Sequence, residues 1–168
     1  AKSFYNWICE NVKYTFMSEY ALYPNLSEFA AINLRGDCGV KALLFITLCR
    51  IRGIPARWQS GWFATPKGAS PHDWALIWLE PFGWIPVDCS FGGSRNDIPA
   101  YKEFYFGNLD AFRMVSNSAF MSPLIPAKKF YRSDPFDNQV GEIEMDSRAM
   151  RSYERDYSLE ILSFERVL

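Results

Sequence analysis

Apolar positions recur at helical spacing from the start of the chain. Trp7, Ile8, Val12 and Tyr14 mark one face of an amphipathic helix, predicted over residues 2–14. Residues 15–34 lose that regularity, and Tyr23-Pro24-Asn25 breaks them into short pieces. Arg35-Gly36-Asp37 then signals a turn and a second helix. Asp37 suits the N-cap, because its carboxylate can accept from amides that a first turn leaves unpaired. From Val40 through Leu43, Leu44, Ile46 and Leu48 to Ile51 this helix is apolar on most sides. It shows no polar face until Arg50 and Arg52, so the helix belongs at the centre of the core. Gly53 and Pro55 stop it.

The period then changes to two. Residues 56–63 alternate through Arg57, Trp58, Gln59 and Ser60 and predict a strand. A Pro/Gly loop is expected over 65–71. Residues 72–79 predict a strong strand, with Trp74, Leu76 and Trp78 on one face and Ala75, Ile77 and Leu79 on the other. Glu80-Pro81-Phe82-Gly83 turns the chain, 84–89 return as a partner strand, and Gly92-Gly93 closes the unit. Residues 94–135 are loop-rich and aromatic, and Pro123, Pro126 and Pro135 argue against a long regular element there. Two further strands are expected at 140–145 and 157–164. The pattern predicts an α+β fold, helices packed on an antiparallel sheet of about four to six strands. It is expected as one domain over 1–168. Residues 1–100 form its core, and the loop-rich extension 101–168 completes the sheet and the cleft.

Composition narrows the function. A chain of 168 residues suits one domain and needs no disulfide or metal staple. Its 18 basic and 19 acidic residues give a net charge of −1, without the basic excess of a nucleic-acid footprint. At 49% hydrophobic and 22% charged it is not a disordered sequence. No apolar run approaches the ~20 residues of a membrane span. An aromatic content of 17% suits an aromatic-lined cleft. The cysteines are Cys9, Cys38, Cys49 and Cys89, with no C-x-x-C spacing. One histidine cannot complete a Cys/His zinc set with them, so no metal or organic cofactor is expected. Cys38 and Cys49 lie on one helix, about 16 Å apart, too far for a bridge. No signal peptide is visible at Ala1, so the chain is expected to be a mature or trimmed fragment, and a monomer.

One constellation carries chemistry. Cys38 directly follows the N-cap of the buried helix. The helix dipole and the free amides there are expected to lower its pKa and to bind an oxyanion. His72 is the only histidine, so a cysteine nucleophile with an imidazole partner must use it. Asp88 lies near the end of the partner strand. Simple pairing leaves it out of register with His72, so a bulge or strong twist is expected to bring them together, with Asp88 orienting the ring through Nδ1. Asp73 is an alternative orienter, but it points to the opposite strand face. Each residue also has an ordinary structural reading. A cysteine in a buried helix is commonly a small core residue, as Cys9 and Cys49 are read here. A histidine at a strand start is commonly hydrogen-bonded, and an aspartate commonly marks a turn.

Three blocks resemble the transglutaminase-like superfamily of papain-like cysteine enzymes. Gly36-Asp37-Cys38-Gly39-Val40-Lys41-Ala42-Leu43-Leu44 with Gly53-Ile54-Pro55-Ala56-Arg57 is similar to its nucleophile helix and exit. His72-Asp73-Trp74-Ala75 resembles its histidine strand, and Gly83-Trp84-Ile85-Pro86-Val87-Asp88 its aspartate strand. The resemblance spans about residues 34–92. It implies Cys38 as nucleophile, His72 as base, Asp88 as orienter, and a papain-like helix-on-sheet core. Phe106-Gly107-Asn108-Leu109-Asp110 and Asp137-Asn138-Gln139-Val140-Gly141-Glu142 resemble a bacterial secreted or periplasmic branch. That implies a periplasmic or extracellular setting. Members also carry an upstream oxyanion donor. Tyr14 and Tyr20 are both candidates, and both also read as packing residues. Gly36 permits a tight turn, and Gly39 leaves room beside the thiol. Trp58, Trp62 and Trp74 are available as cleft walls, although core packing accounts for most of them. Arg113 reads as a salt-bridge residue and, less directly, as a substrate contact.

Such a triad supports acyl transfer through a thioester. Water as acceptor makes a protease or amidase, and an amine makes a cross-linking transglutaminase. A catalytically retired peptide- or glycan-binding module of the same fold is the third reading. The short chain leaves little room for a shielded amine tunnel. The expectation is therefore a hydrolase of peptide, protein or peptidoglycan-like amides.

Overall fold

The structure, a computed structural model, describes residues 1–95, 97–132, 136–163 and 165. Helix α1 spans Lys2–Asn11 and buries Tyr5, Ile8 and Cys9. It ends earlier than the expected 2–14, because Val12 is already extended. Lys13–Tyr14 instead forms a short strand, β1, which pairs in parallel with β2, Arg35–Gly36. A 3-10 turn at Tyr20–Leu22 and helix α2, Leu26–Asn33, fill the segment between. Asn25 caps α2 by accepting from the Glu28 amide, so the expected breaker also starts a helix.

Helix α3 spans Cys38–Ile51, with Asp37 as its N-cap accepting from the Val40 amide. It lies between the other helices and the sheet. Val40, Leu44, Phe45 and Cys49 pack with Ala56, Trp58, Ala75, Ile77 and Val87. Burying each large apolar side chain contributes about 2 kcal/mol, which explains a helix with no polar stripe.

The sheet has four antiparallel strands in the order β5-β4-β3-β6. These are β3, Ala56–Thr65; β4, Gly68–Leu79; β5, Gly83–Val87; and β6, Arg113–Asn117. β4 begins at Gly68, so most of the loop expected over 65–71 is strand. Thr65 pairs with Gly68, closing a tight hairpin. Pro71 is tolerated because β5 pairs only with Leu79 back to Ala75, leaving that stretch of β4 on an edge. The expected strand over 84–89 stops at Val87. Asp88 there accepts from the Ser90 and Phe91 amides and caps a short helix α4, Cys89–Ser94. Within the loop-rich stretch 94–135 lie helix α5, Pro99–Phe104, and strand β6. Neither expected late strand forms. Residues 140–145 contribute only a single bridge between Glu144 and Ala149, and 157–163 are irregular. The strand expected over 157–164 also reaches residue 164, outside the described residues.

The two sheet faces differ. Trp58, Ser60, Asp73, Ala75 and Ile77 share the face covered by α3. His72 and Trp74 lie on the other face, as strand alternation requires. Among the described residues no helix is long and apolar enough to cross a membrane.

Candidate active site

The thiol stands at the first residue of α3. Asp37 Oδ1 accepts from the Val40 amide at 3.0 Å and from the Tyr20 hydroxyl at 2.7 Å. This carboxylate therefore fixes both the helix start and Tyr20. Cys38 Sγ donates to Asp73 Oδ2 at 3.5 Å. The other oxygen, Oδ1, accepts from the Gln139 side-chain amide. Ser60 donates to the Asp137 carbonyl at 2.6 Å and Trp62 Nε1 to the Gln139 carbonyl at 3.3 Å, so residues 137–139 are strapped across β3 beside the thiol. Tyr14, Tyr20, Cys38, Asp73 and Gln139 line a cleft of about 420 Å³.

Burial pushes the Cys38 thiol well above its ordinary pKa, and the Asp73 and Asp37 carboxylates add to the rise. The expectation of a lowered pKa is therefore corrected. A helix terminus contributes about 0.3–1 kcal/mol, and two nearby carboxylates with burial outweigh it. Gly39 does leave room, as expected. A Cβ there would lie 2.2 Å from the Tyr20 hydroxyl and 2.8 Å from Asp73 Oδ2.

His72 and Asp88 meet on the other sheet face. His72 Nε2 lies 2.7 Å from Asp88 Oδ2, and both residues are buried. No bulge interrupts β4 and β5, so the first of the two expected devices is absent. Val87 pairs with Ala75, so Asp88 stands across from Trp74 and reaches His72 diagonally along one face. The contact uses Nε2 rather than the expected Nδ1. Arg113 Nη1 donates to the same Asp88 oxygen at 2.9 Å, and the Ser90 and Phe91 amides donate to Oδ1, each at 2.9 Å. Burial pushes the Asp88 carboxyl up, but the His72 charge and hydrogen bond and the Arg113 guanidinium outweigh it and hold it below the usual carboxylate range. Arg113 also pairs with Asp110 and covers the Phe91 ring at 4.1 Å. It is thus a buried salt-bridge residue.

The other candidates separate cleanly. Trp74 is fully buried, donates to Gln59 Oε1 at 2.7 Å and stacks on His72, so it backs the imidazole instead of walling the thiol cleft. Trp58 is core, and Trp62 holds the strap. Tyr20 commits its proton to Asp37. The Tyr14 hydroxyl makes no hydrogen bond among the described residues. Burial, with the Cys38, Asp37 and Asp73 charges, pushes its pKa up to about 12, so it holds its proton. The structure thus joins Cys38 to Asp73 and His72 to Asp88, but forms no hydrogen bond between Cys38 and His72. Tyr14 and Pro71 wall both the thiol cleft and the cavity that His72 lines. Alternation separated Asp73 from His72, and the packing of α3 on the Ala75 and Ile77 face put Asp73 at the thiol. Gln139 had no such signal.

Residues 1–89 match the transglutaminase-like superfamily. The chain belongs to this superfamily. Its helix α3, histidine strand and aspartate strand are the elements that the match covers. The crystal structure of a "putative cysteine protease" from Cytophaga hutchinsonii is similar at 26% identity over 53% of this chain, with a TM-score of 0.46. The similarity spans 30% of that protein's chain. No curated protein matches the chain. Among the described residues no group of three or more His, Cys, Asp or Glu side chains is placed to hold a metal ion.

Proposed function

We propose that this transglutaminase-like protein is a cysteine-dependent hydrolase of peptide-like amides, with Cys38 as nucleophile, His72 as base and Asp88 as orienter. The observation that carries the reading is the buried His72–Asp88 contact. It holds Nε2 on an ionised carboxylate and leaves Nδ1 without a hydrogen bond, available for the thiol proton. The reading asks for one movement. Tyr14 and Pro71 wall both the thiol cleft and the cavity that His72 lines, and their displacement, with the His72–Asp88 contact kept, lets the thiol reach Nδ1. Nδ1 then takes the Cys38 proton as sulfur attacks the amide carbon. The oxyanion is met by amides at the start of α3 and by the Tyr14 hydroxyl, the donor not already committed to Asp37. Collapse breaks the C–N bond, and the imidazolium gives its proton to the departing amine. Water, deprotonated by His72, then cleaves the thioester and releases the carboxylic acid and the free thiol.

The test is turnover of amide substrates by wild type, Cys38→Ala and His72→Ala, with the acyl group on Cys38 trapped by mass spectrometry. Losses of at least about a hundredfold in both variants are expected. Unchanged turnover in Cys38→Ala sinks the reading. Faster incorporation of a labelled amine into casein than cleavage of peptides makes the enzyme an amine transferase instead.

The Cys38–Asp73 contact favours a second reading, a retired binding module. It predicts peptide or glycan binding that Cys38→Ala leaves intact, with no acyl adduct on Cys38.

A further inference from the structure

Lys41 lies one turn after Cys38 on α3 and is only 2% exposed. Among the described residues its ammonium makes no hydrogen bond and no ion pair. It is not sealed in, however. With Asn11, Phe63, His72, Ser90 and Phe91 it lines a cavity of about 640 Å³, beyond the thiol cleft. The Ser90 hydroxyl, also buried, makes no hydrogen bond among the described residues. Two buried donors, one of them cationic, thus meet the cavity with nothing to accept from them. Buried cations are normally paired, because an unpaired one loses its hydration without compensation.

The nearby acids do not supply that partner. Cys9 of α1, Cys89 of α4 and Asp88 are the groups of opposite sign that Lys41 senses. Asp88 is already shared between His72, Arg113 and two amides. Glu10, at the rim, pairs with Lys102 at 2.6 Å. Burial holds the Lys41 pKa below its ordinary value, and these acids oppose that fall without cancelling it.

We propose that this cavity is a carboxylate subsite, in which the Lys41 ammonium and the Ser90 hydroxyl receive an acid group of the substrate and Phe63 and Phe91 receive the chain next to it. Pro71 and Tyr14 wall both this cavity and the thiol cleft, so an acid held at Lys41 sits one partition away from an amide at Cys38. The substrate class is then an amide that carries a carboxylate beside the scissile bond. A terminal carboxylate and an acidic side chain share this chemistry. The assignment as a substrate subsite rests on the hydrolase reading, whereas carboxylate binding itself does not.

The experiment uses the full chain as Cys38→Ala, which cannot turn over. N-acetylglycine offers only a terminal carboxylate, N-acetylglutamate α-amide only a side-chain one, and N-acetylglycinamide neither. Binding is followed by NMR, with the ¹³Cε shift of Lys41 titrated against pH. At least one acid is expected to bind about tenfold more tightly than the neutral amide and to move the Lys41 midpoint up. The acid that does so identifies the source. Lys41→Met, which removes a buried charge and is expected to keep a cooperative melt, erases the preference. Equal binding of acids and amide overturns the proposal. So does an unmoved Lys41 midpoint, acid preference that survives Lys41→Met, or no binding of either acid up to about 50 mM. Acid binding without any turnover in wild type retires the hydrolase reading and keeps the site. Turnover indifferent to the acid group does the reverse.

Discussion

Gly39 stands where a methyl group has no room. Its added Cβ would press on the Tyr20 hydroxyl, Asp73 Oδ2 and the Trp58 ring. Gly39→Ala is expected to cost about 1–3 kcal/mol in urea unfolding and to lower activity by displacing Asp73 and Tyr20. The neighbouring thiol gives a second prediction. Asp73 is the largest charged contributor to the raised Cys38 pKa. Its folded value lies above that of an unfolded cysteine, so the thiol stays protonated as pH rises through the ordinary range near ~8.5. Iodoacetamide is therefore expected to label Cys38 slowly at neutral pH, and Asp73→Asn to speed that labelling by removing the charge. Labelling followed by peptide mass spectrometry between about pH 6 and 10 checks it, and an unchanged rate contradicts it.

At the level of elements, α3 and the β4–β5 pair carry most of the argument. Leu44 is buried on α3, so Leu44→Asp places an unpaired carboxylate in the core and is expected to abolish the cooperative melt. The Asp88–Arg113 pair ties the end of β5 to β6. Arg113→Met strips a buried carboxylate of one charge partner, at an expected cost of about 3–5 kcal/mol. The pH dependence has a definite sign. Asp88 has a folded pKa below its unfolded value of about 3.9, so its stabilisation is complete above that pH. It is lost as pH falls through the lower folded value. Urea titrations from about pH 5 down to 2 should show a loss that sets in below about 3.9 in wild type and a shallower one in Asp88→Asn.

Across the whole molecule, segments distant in sequence close the site. Ser60 and Asp73 lie on the sheet, whereas Asp137 and Gln139 come from the irregular later part. Gln139→Ala is expected to cost only about 1 kcal/mol, because one side-chain hydrogen bond is lost. It should nevertheless expose the strap to limited proteolysis while the sheet and α3 keep their cooperative transition. Equal cleavage rates in variant and wild type contradict a holding role for Gln139.

The sequence by itself determined the helix that carries Cys38, its Asp37 cap, the strand that carries His72 and the strand that ends just before Asp88. Those features rest on local causes: an apolar run with cap and stop residues, period-two alternation and a turn. It also placed Asp73 opposite His72, since successive strand residues face opposite ways. Tertiary structure alone decided which of the two the helix covers, and so which one touches the thiol. It also set the direction of the Cys38 pKa, because burial and neighbouring carboxylates act through space and outweigh the local dipole. The strap at Gln139 and the open ammonium of Lys41 belong to the same class. Nothing local distinguishes a glutamine in a loop, or a lysine in a helix, until distant chain is packed around it.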